Sequence, residues 1–112
     1  MKRILQLTIP VILMVGCGQS KQLTPQEAWH NFCTVIPSAA YNIMTDRQQG
    51  IKKEDAVAHA AKMQDPKGRA YLESLIEEAY TVPVYQQLEQ QQKAMEDFKN
   101  GRYESCMKAG SS

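Results

Sequence analysis

A chain of 112 residues bounds the protein to one domain, with a core near the lower end of what folds unaided. Thirteen Lys and Arg against twelve Asp and Glu give a formal net charge of +1, and with Lys2 and Arg3 set aside as part of a leader the rest carries eleven against twelve. That near-neutral balance argues against a dedicated nucleic-acid binder, which displaces counterions from phosphates with a concentrated basic patch.

The chain opens with Met1-Lys2-Arg3, continues through a short, mostly apolar stretch (residues 4–15) interrupted by Gln6, Thr8 and Pro10, and reaches Gly16-Cys17-Gly18. Positive, then apolar, then small residues is the layout of a secretory signal. The apolar stretch falls short of the roughly 20 residues that span a bilayer as a helix, so a retained anchor is the weaker reading. Met14-Val15-Gly16-Cys17 resembles the lipobox of bacterial lipoproteins, in which a cysteine is diacylated on sulfur and becomes the mature N-terminus. The resemblance makes residues 1–16 a signal peptide, Cys17 the lipid-attachment residue and residues 17–23 a tether. It also implies an outer-membrane destination facing the periplasm, because Gly18 rather than aspartate follows the anchor. Cleavage after Gly18, giving a soluble periplasmic protein, remains the alternative.

Three cysteines in an exported chain leave one odd thiol. With Cys17 acylated, Cys33 and Cys106 remain as a pair, and the oxidising periplasm predicts an intramolecular bridge between them. Closing a loop of that length restricts the unfolded chain by about 4 kcal/mol in the chain-entropy treatment.

After the tether, a helical domain is expected over residues 24–108. Thr24-Pro25-Gln26-Glu27 gives an N-cap, a proline at the first helical position and a capping box. Trp29, Phe32, Cys33, Ile36, Ala40, Ile43 and Met44 then recur at helical spacing. Pro37 interrupts this stripe and predicts a kink or two helices meeting near Ser38. Arg47 followed by Gly50 marks a helix C-terminus. A second helix is predicted over residues 53–63, with a small contact face of Val57, Ala60 and Ala61. Asp65-Pro66 starts a third, with Leu72, Leu75, Ile76 and Ala79 on its apolar face and Pro83 beyond its end. A fourth carries Val84, Leu88, Met95 and Phe98 and closes at Asn100-Gly101. Tyr103, Cys106 and Met107 form a last turn or short helix, and residues 109–112 a flexible tail. No segment alternates with a two-residue period. The fold expected is all-α, a small bundle of about four helices closed by one disulfide after a cleaved signal.

The order of features in this mature part loosely resembles small disulfide-closed helical periplasmic proteins of proteobacteria. A cysteine early in the first helix, Arg47-Gln48-Gln49-Gly50, Glu78-Ala79-Tyr80 with Pro83 three residues on, and Tyr103 with Cys106 carry the likeness. It implies the helical fold and the bridge, and supplies no activity.

Chemistry-bearing constellations are sparse. His30 and Cys33 stand one helical turn apart, as a base and a thiolate nucleophile would, yet no orienting third residue follows and export commits Cys33 to the bridge. His30, Cys33, His59 and Cys106 have zinc-ligand chemistry but lack the paired short spacings of a zinc site. Glu77 and Glu78, being adjacent, point to different sides of a helix. Phosphate loops, nucleophile elbows and zinc-helix motifs are missing. No catalytic residue, metal or cofactor is therefore assigned.

Gln86, Gln87, Gln90, Gln91 and Gln92 read as a polar helix face stitched by a Glu89–Lys93 pair. Tyr80 and Tyr85 flank Pro83 and suit a helix junction or an interface rim, and together with Arg47 they form the candidate partner surface. The reading is of a non-catalytic envelope lipoprotein, a membrane-tethered interaction or accessory protein whose anchor raises its effective concentration toward partners on the same surface. A carrier or scavenger of a small apolar ligand, bound in a pocket lined by Met44, Met95 and aromatics, is the second class. A hydrolytic enzyme is the third, and it needs an open cleft with a perturbed carboxylate or histidine.

Overall fold

The computed structural model describes residues 22–110. The expected signal peptide, the lipid-attachment residue Cys17 and positions 18–21 of the tether lie outside the described residues, as do 111 and 112. Five helices follow one another: α1 (Pro25–Gln48), α2 (Lys53–Ala60), α3 (Pro66–Ala79), α4 (Leu88–Lys99) and α5 (Arg102–Gly110). The fold is all-α, and the described residues contain no strand. No helix among them is long and apolar enough to cross a membrane.

α1 organises the rest. Thr24 caps it by accepting the Glu27 N–H at 3.1 Å, the first bond of the expected capping box, while the Glu27 carboxylate turns back to accept the Thr24 hydroxyl at 3.0 Å rather than the Thr24 backbone N–H. Its stripe of Trp29, Cys33, Ile36, Ala40 and Met44 is buried at the predicted three- and four-residue spacing, with Phe32 and Ile43 half-buried at its edges. α3, α4 and α5 all pack on this helix, and α2 packs on α3. Ile36, Ala40, Leu75, Ala79, Met95 and Phe98 form the main core, and Ile76 with Ala56 and Ala60 forms a smaller one under α2.

The expected break at Pro37 does not divide the helix. α1 runs through it as one element of 24 residues. Proline removes the N–H that would meet the Cys33 carbonyl, but Ile36 and Ala40 on either side are fully buried, and their packing carries the helix across the lost bond. α2 stops at Ala60 rather than 63, and its buried pair is Ala56 and Ala60, while Ala61 is exposed. α3 starts as expected, with Asp65 accepting the Gly68 N–H at 2.8 Å and Pro66 in the first turn. α4 starts only at Leu88, so Val84 lies in the preceding loop, and Val84 and Leu88 are 45% and 66% exposed instead of buried. Gly50 and Gly101, with φ of 80° and 77°, turn the chain after α1 and α4 in the left-handed region that glycine enters without strain.

The closing segment is a full helix. α5 extends to Gly110, so Ala109 and Gly110 belong to it and not to a tail. Cys33 and Cys106 are bonded, with Cα atoms 5.5 Å apart, and both are completely buried. Beside the bridge the Trp29 indole N–H donates to the Cys106 carbonyl at 2.7 Å, fastening α5 to α1 a second time. Gly110 packs against the Trp29 ring so closely that a methyl group there would overlap it.

Candidate functional site

The C-terminal turn of α1 reaches into the α3–α4 connection, residues 80–87. Helix ends leave carbonyls without partners and loops leave both donors and acceptors. Here the side chains of α1 supply the missing partners. Arg47 Nε donates to the Val82 carbonyl at 2.9 Å, and its guanidinium lies 5.2 Å from the centre of the Tyr80 ring. Gln48, 5% exposed, is the one buried polar side chain among the described residues. Its Nε2 donates to the Pro83 carbonyl at 2.8 Å, and its Oε1 accepts the Tyr85 N–H at 2.9 Å. Tyr80 donates its hydroxyl to the Ile51 carbonyl at 2.7 Å, and Gln91 donates to the Tyr85 carbonyl at 2.6 Å. The loop is thereby pinned at Val82, Pro83 and Tyr85, and its outer side displays Val84 and then Leu88.

A second clasp holds the other flank. Arg102 makes a two-pronged pair with Glu78, at 2.9 and 2.8 Å, donates from Nε to the Phe98 carbonyl at 2.7 Å, and stacks 4.1 Å from the Phe98 ring centre. The Arg102 hydrogen bonds hold the Glu78 carboxyl below its ordinary value, against an opposing push from partial burial. Adjacent Glu77 turns the other way, to Lys53 of α2 at 2.6 Å. The two glutamates therefore serve different helices, as their adjacency predicts. Burial raises the Tyr71 and Tyr80 phenols, so both keep their protons.

Between these clasps lies a surface cleft of about 490 Å³, floored by Met44, Val82 and Phe98 and rimmed by Tyr85, Lys93, Asp97 and Arg102. Lys93 bonds Asp97 at 2.7 Å rather than the expected Glu89. Glu89 sits instead in the first turn of α4, where the helix dipole favours a negative charge. The Asp97 hydrogen bond raises the Lys93 ammonium and keeps it protonated. The cleft thus presents Lys93 paired with Asp97 and Arg102 paired with Glu78, with the Lys93 amine raised, whereas an acid–base couple needs a carboxyl raised or an amine lowered toward neutrality.

The structure places the remaining candidates separately. Cys33 and Cys106 are bonded to each other, which withdraws both thiols from a nucleophile or a zinc site. His30 is exposed, with Nδ1 3.3 Å from the Tyr103 hydroxyl, and His59 is exposed on α2. Met44 and Met95 are core residues, 1% and 8% exposed; Met44 reaches the floor of the cleft and Met95 does not line it. Arg47 and Tyr80 meet, and spend their polar atoms on the loop and helix end they hold, while Tyr85 is held through its backbone by Gln48 and Gln91. Sequence reasoning missed Gln48 and Arg102, whose partners are separated from them by 35 to 37 and by 24 residues.

Comparison of the chain with protein-family models, with curated proteins and with solved structures finds no match. The sparse motifs of residues 24–108 can be read in physical terms. Arg47, Gln48, Glu78, Tyr80 and Pro83 are the parts of one junction, and Cys106 is the bolt that closes the helix beyond it. Chemically the junction immobilises a backbone segment and holds two aliphatic side chains in water.

Proposed function

We propose that this protein is a non-catalytic envelope lipoprotein, anchored through acylated Cys17, that works by contact through the face carrying Val84, Tyr85 and Leu88. The observation that carries the contact reading is the pinned loop: Val84, 45% exposed, stands on a backbone held by Arg47 and Gln48, and Leu88, 66% exposed, follows at the start of α4. A rigid apolar pair loses little freedom when a partner covers it. Tyr85, half-buried beside it, offers an amphipathic rim. Arg47 and Tyr80 then serve the surface from beneath by holding its shape.

The leader layout and the lipobox-like Met14-Val15-Gly16-Cys17 support anchoring, and the Cys33–Cys106 bond fits an oxidising compartment. Met44 and Met95, packed in the core, favour contact over carriage of an apolar ligand in the bundle interior. The test is intact-mass analysis of the membrane-extracted protein, with alkylation before and after reduction, followed by photocrosslinking from position 88 in cells. A chain starting at Cys17 with acyl mass, two thiols alkylated only after reduction, and a discrete crosslink lost in Val84→Glu is the expected result. A water-soluble product starting after Gly18 overturns the anchor, and a folded protein giving no crosslink overturns the contact surface.

A further inference from the structure

We infer that the end of the bundle where the α1 N-terminus, the start of α3 and the end of α5 converge is a docking face for the phospholipid leaflet that holds the anchor. The inference rests on the reading of Cys17 as acylated and goes beyond it, since an anchor alone leaves the domain free to tumble. Seven residues from Cys17 to Leu23 extend at most about 25 Å, which keeps this end beside the leaflet. α1, with 24 residues, carries the pinned loop about 36 Å farther along its axis. Of the two ends, only this one is held within reach of lipid whatever the domain's tilt.

Its chemistry suits a membrane interface. Leu23 is 50% exposed, Pro25 is exposed, and Phe32 and Met107 are half-buried around Trp29. Trp29, itself only 8% exposed, packs with half-buried Phe32 and Tyr71 at ring distances of 4.9 and 5.6 Å, so an aromatic cluster lies just beneath this end. Exposed Lys67 crosses over the indole, its ammonium 4.3 Å from the ring centre, and it makes no ion pair among the described residues. A lysine with its stem on an aromatic and its head in water is placed to meet a lipid phosphate. Two exposed carboxylates share this end: Asp65, a wall of the smaller groove, accepts the Gly68 N–H, and Glu27 accepts from the Thr24 hydroxyl, each at a helix N-terminus that offsets its charge. Two shallow grooves, of about 320 and 190 Å³, flank Trp29 and share Pro25 and Lys67 as walls.

Trp29 is the sole tryptophan and lies just beneath this face, under Lys67, so its emission reports this end of the bundle. The acylated full-length mature protein is reconstituted into vesicles of phosphatidylethanolamine and phosphatidylglycerol, with and without bromine on the upper acyl carbons, which quench tryptophan over a short range that includes a ring just beneath a docked surface. Docking lowers Trp29 emission by about half in brominated vesicles, and Leu23→Glu and Lys67→Glu, both at exposed positions, restore it while flotation with the vesicles persists. An acylated protein that floats but shows no bromine quenching overturns the docking face and leaves the anchor standing. Quenching unchanged in both variants overturns the assignment to Leu23 and Lys67. Emission that depends on protein concentration but not on bromine assigns the face to a second copy of the chain instead. A product that lacks acyl mass and stays in the aqueous phase overturns anchor and docking together.

Discussion

Replacing Gln48 by leucine keeps a side chain of similar volume and deletes both of its loop hydrogen bonds. The Pro83 carbonyl and the Tyr85 N–H are then left without their protein partner, at a cost of about 2 kcal/mol, seen as a lower urea midpoint with an unchanged slope. Hydrogen exchange at Tyr85 should quicken more than in the α1 core. Glu78 gives a pH signature. Because its folded value lies below the ordinary one, the Arg102 pair stabilises fully above the carboxylate's unfolded value and fades as pH falls through the folded value. Glu78→Gln should therefore flatten the acid limb of stability against pH, and since the carboxylate is 56% exposed the neutral-pH loss is at most about 1 kcal/mol. Gly110→Ala forces a methyl into the Trp29 ring and should lower stability by about 1 kcal/mol, with a shift in Trp29 emission. None of these three roles is legible from neighbouring residues, because each is defined by a partner at least 24 positions away.

Elements that depend on local chemistry were readable in advance. Thr24-Pro25-Gln26-Glu27 and Asp65-Pro66 act within their own first turns, and both caps form as their sequences require. The start of α4 was not readable, for a reason the structure makes plain. Val84 and Leu88 stand four apart, as on a buried helix face, but Gln48 holds Pro83 and Tyr85 in the loop, so Val84 precedes the helix and is exposed, as is Leu88 in the helix's first turn. The candidate surface was legible as a neighbourhood through Tyr80 and Tyr85, whereas its exposed apolar members were assigned to the core. Val84→Glu and Leu88→Glu should accordingly change stability by less than about 0.5 kcal/mol in urea unfolding, as exposed sites do. α1 carries the opposite expectation. Pro37 costs the helix interior a hydrogen bond, so Pro37→Ala should raise stability by about 1 kcal/mol, part of proline's helix penalty being offset by a less restricted unfolded chain.

At the scale of the molecule, the bridge decides whether a domain this small holds together. Its pairing was legible by counting once Cys17 was set aside by the lipobox resemblance, and the Cys33–Cys106 bond is the one that forms. Cys33 and Cys106 are 73 positions apart, and removing the bond by Cys33→Ala with Cys106→Ala should cost about 4 kcal/mol, read as the difference in urea midpoint between the variant and the oxidised protein. Burial of both sulfurs predicts that reductant acts on the folded protein only as fast as the protein opens. The bond also turns residues 33–106 into a closed ring that includes α2, α3, α4 and every connection between them. A protease that cuts one of those connections leaves a single covalent molecule, with both halves still attached to the N-terminal segment. Shedding any part of the ring takes a second cut or a reductant, so a single nick leaves the domain in one piece.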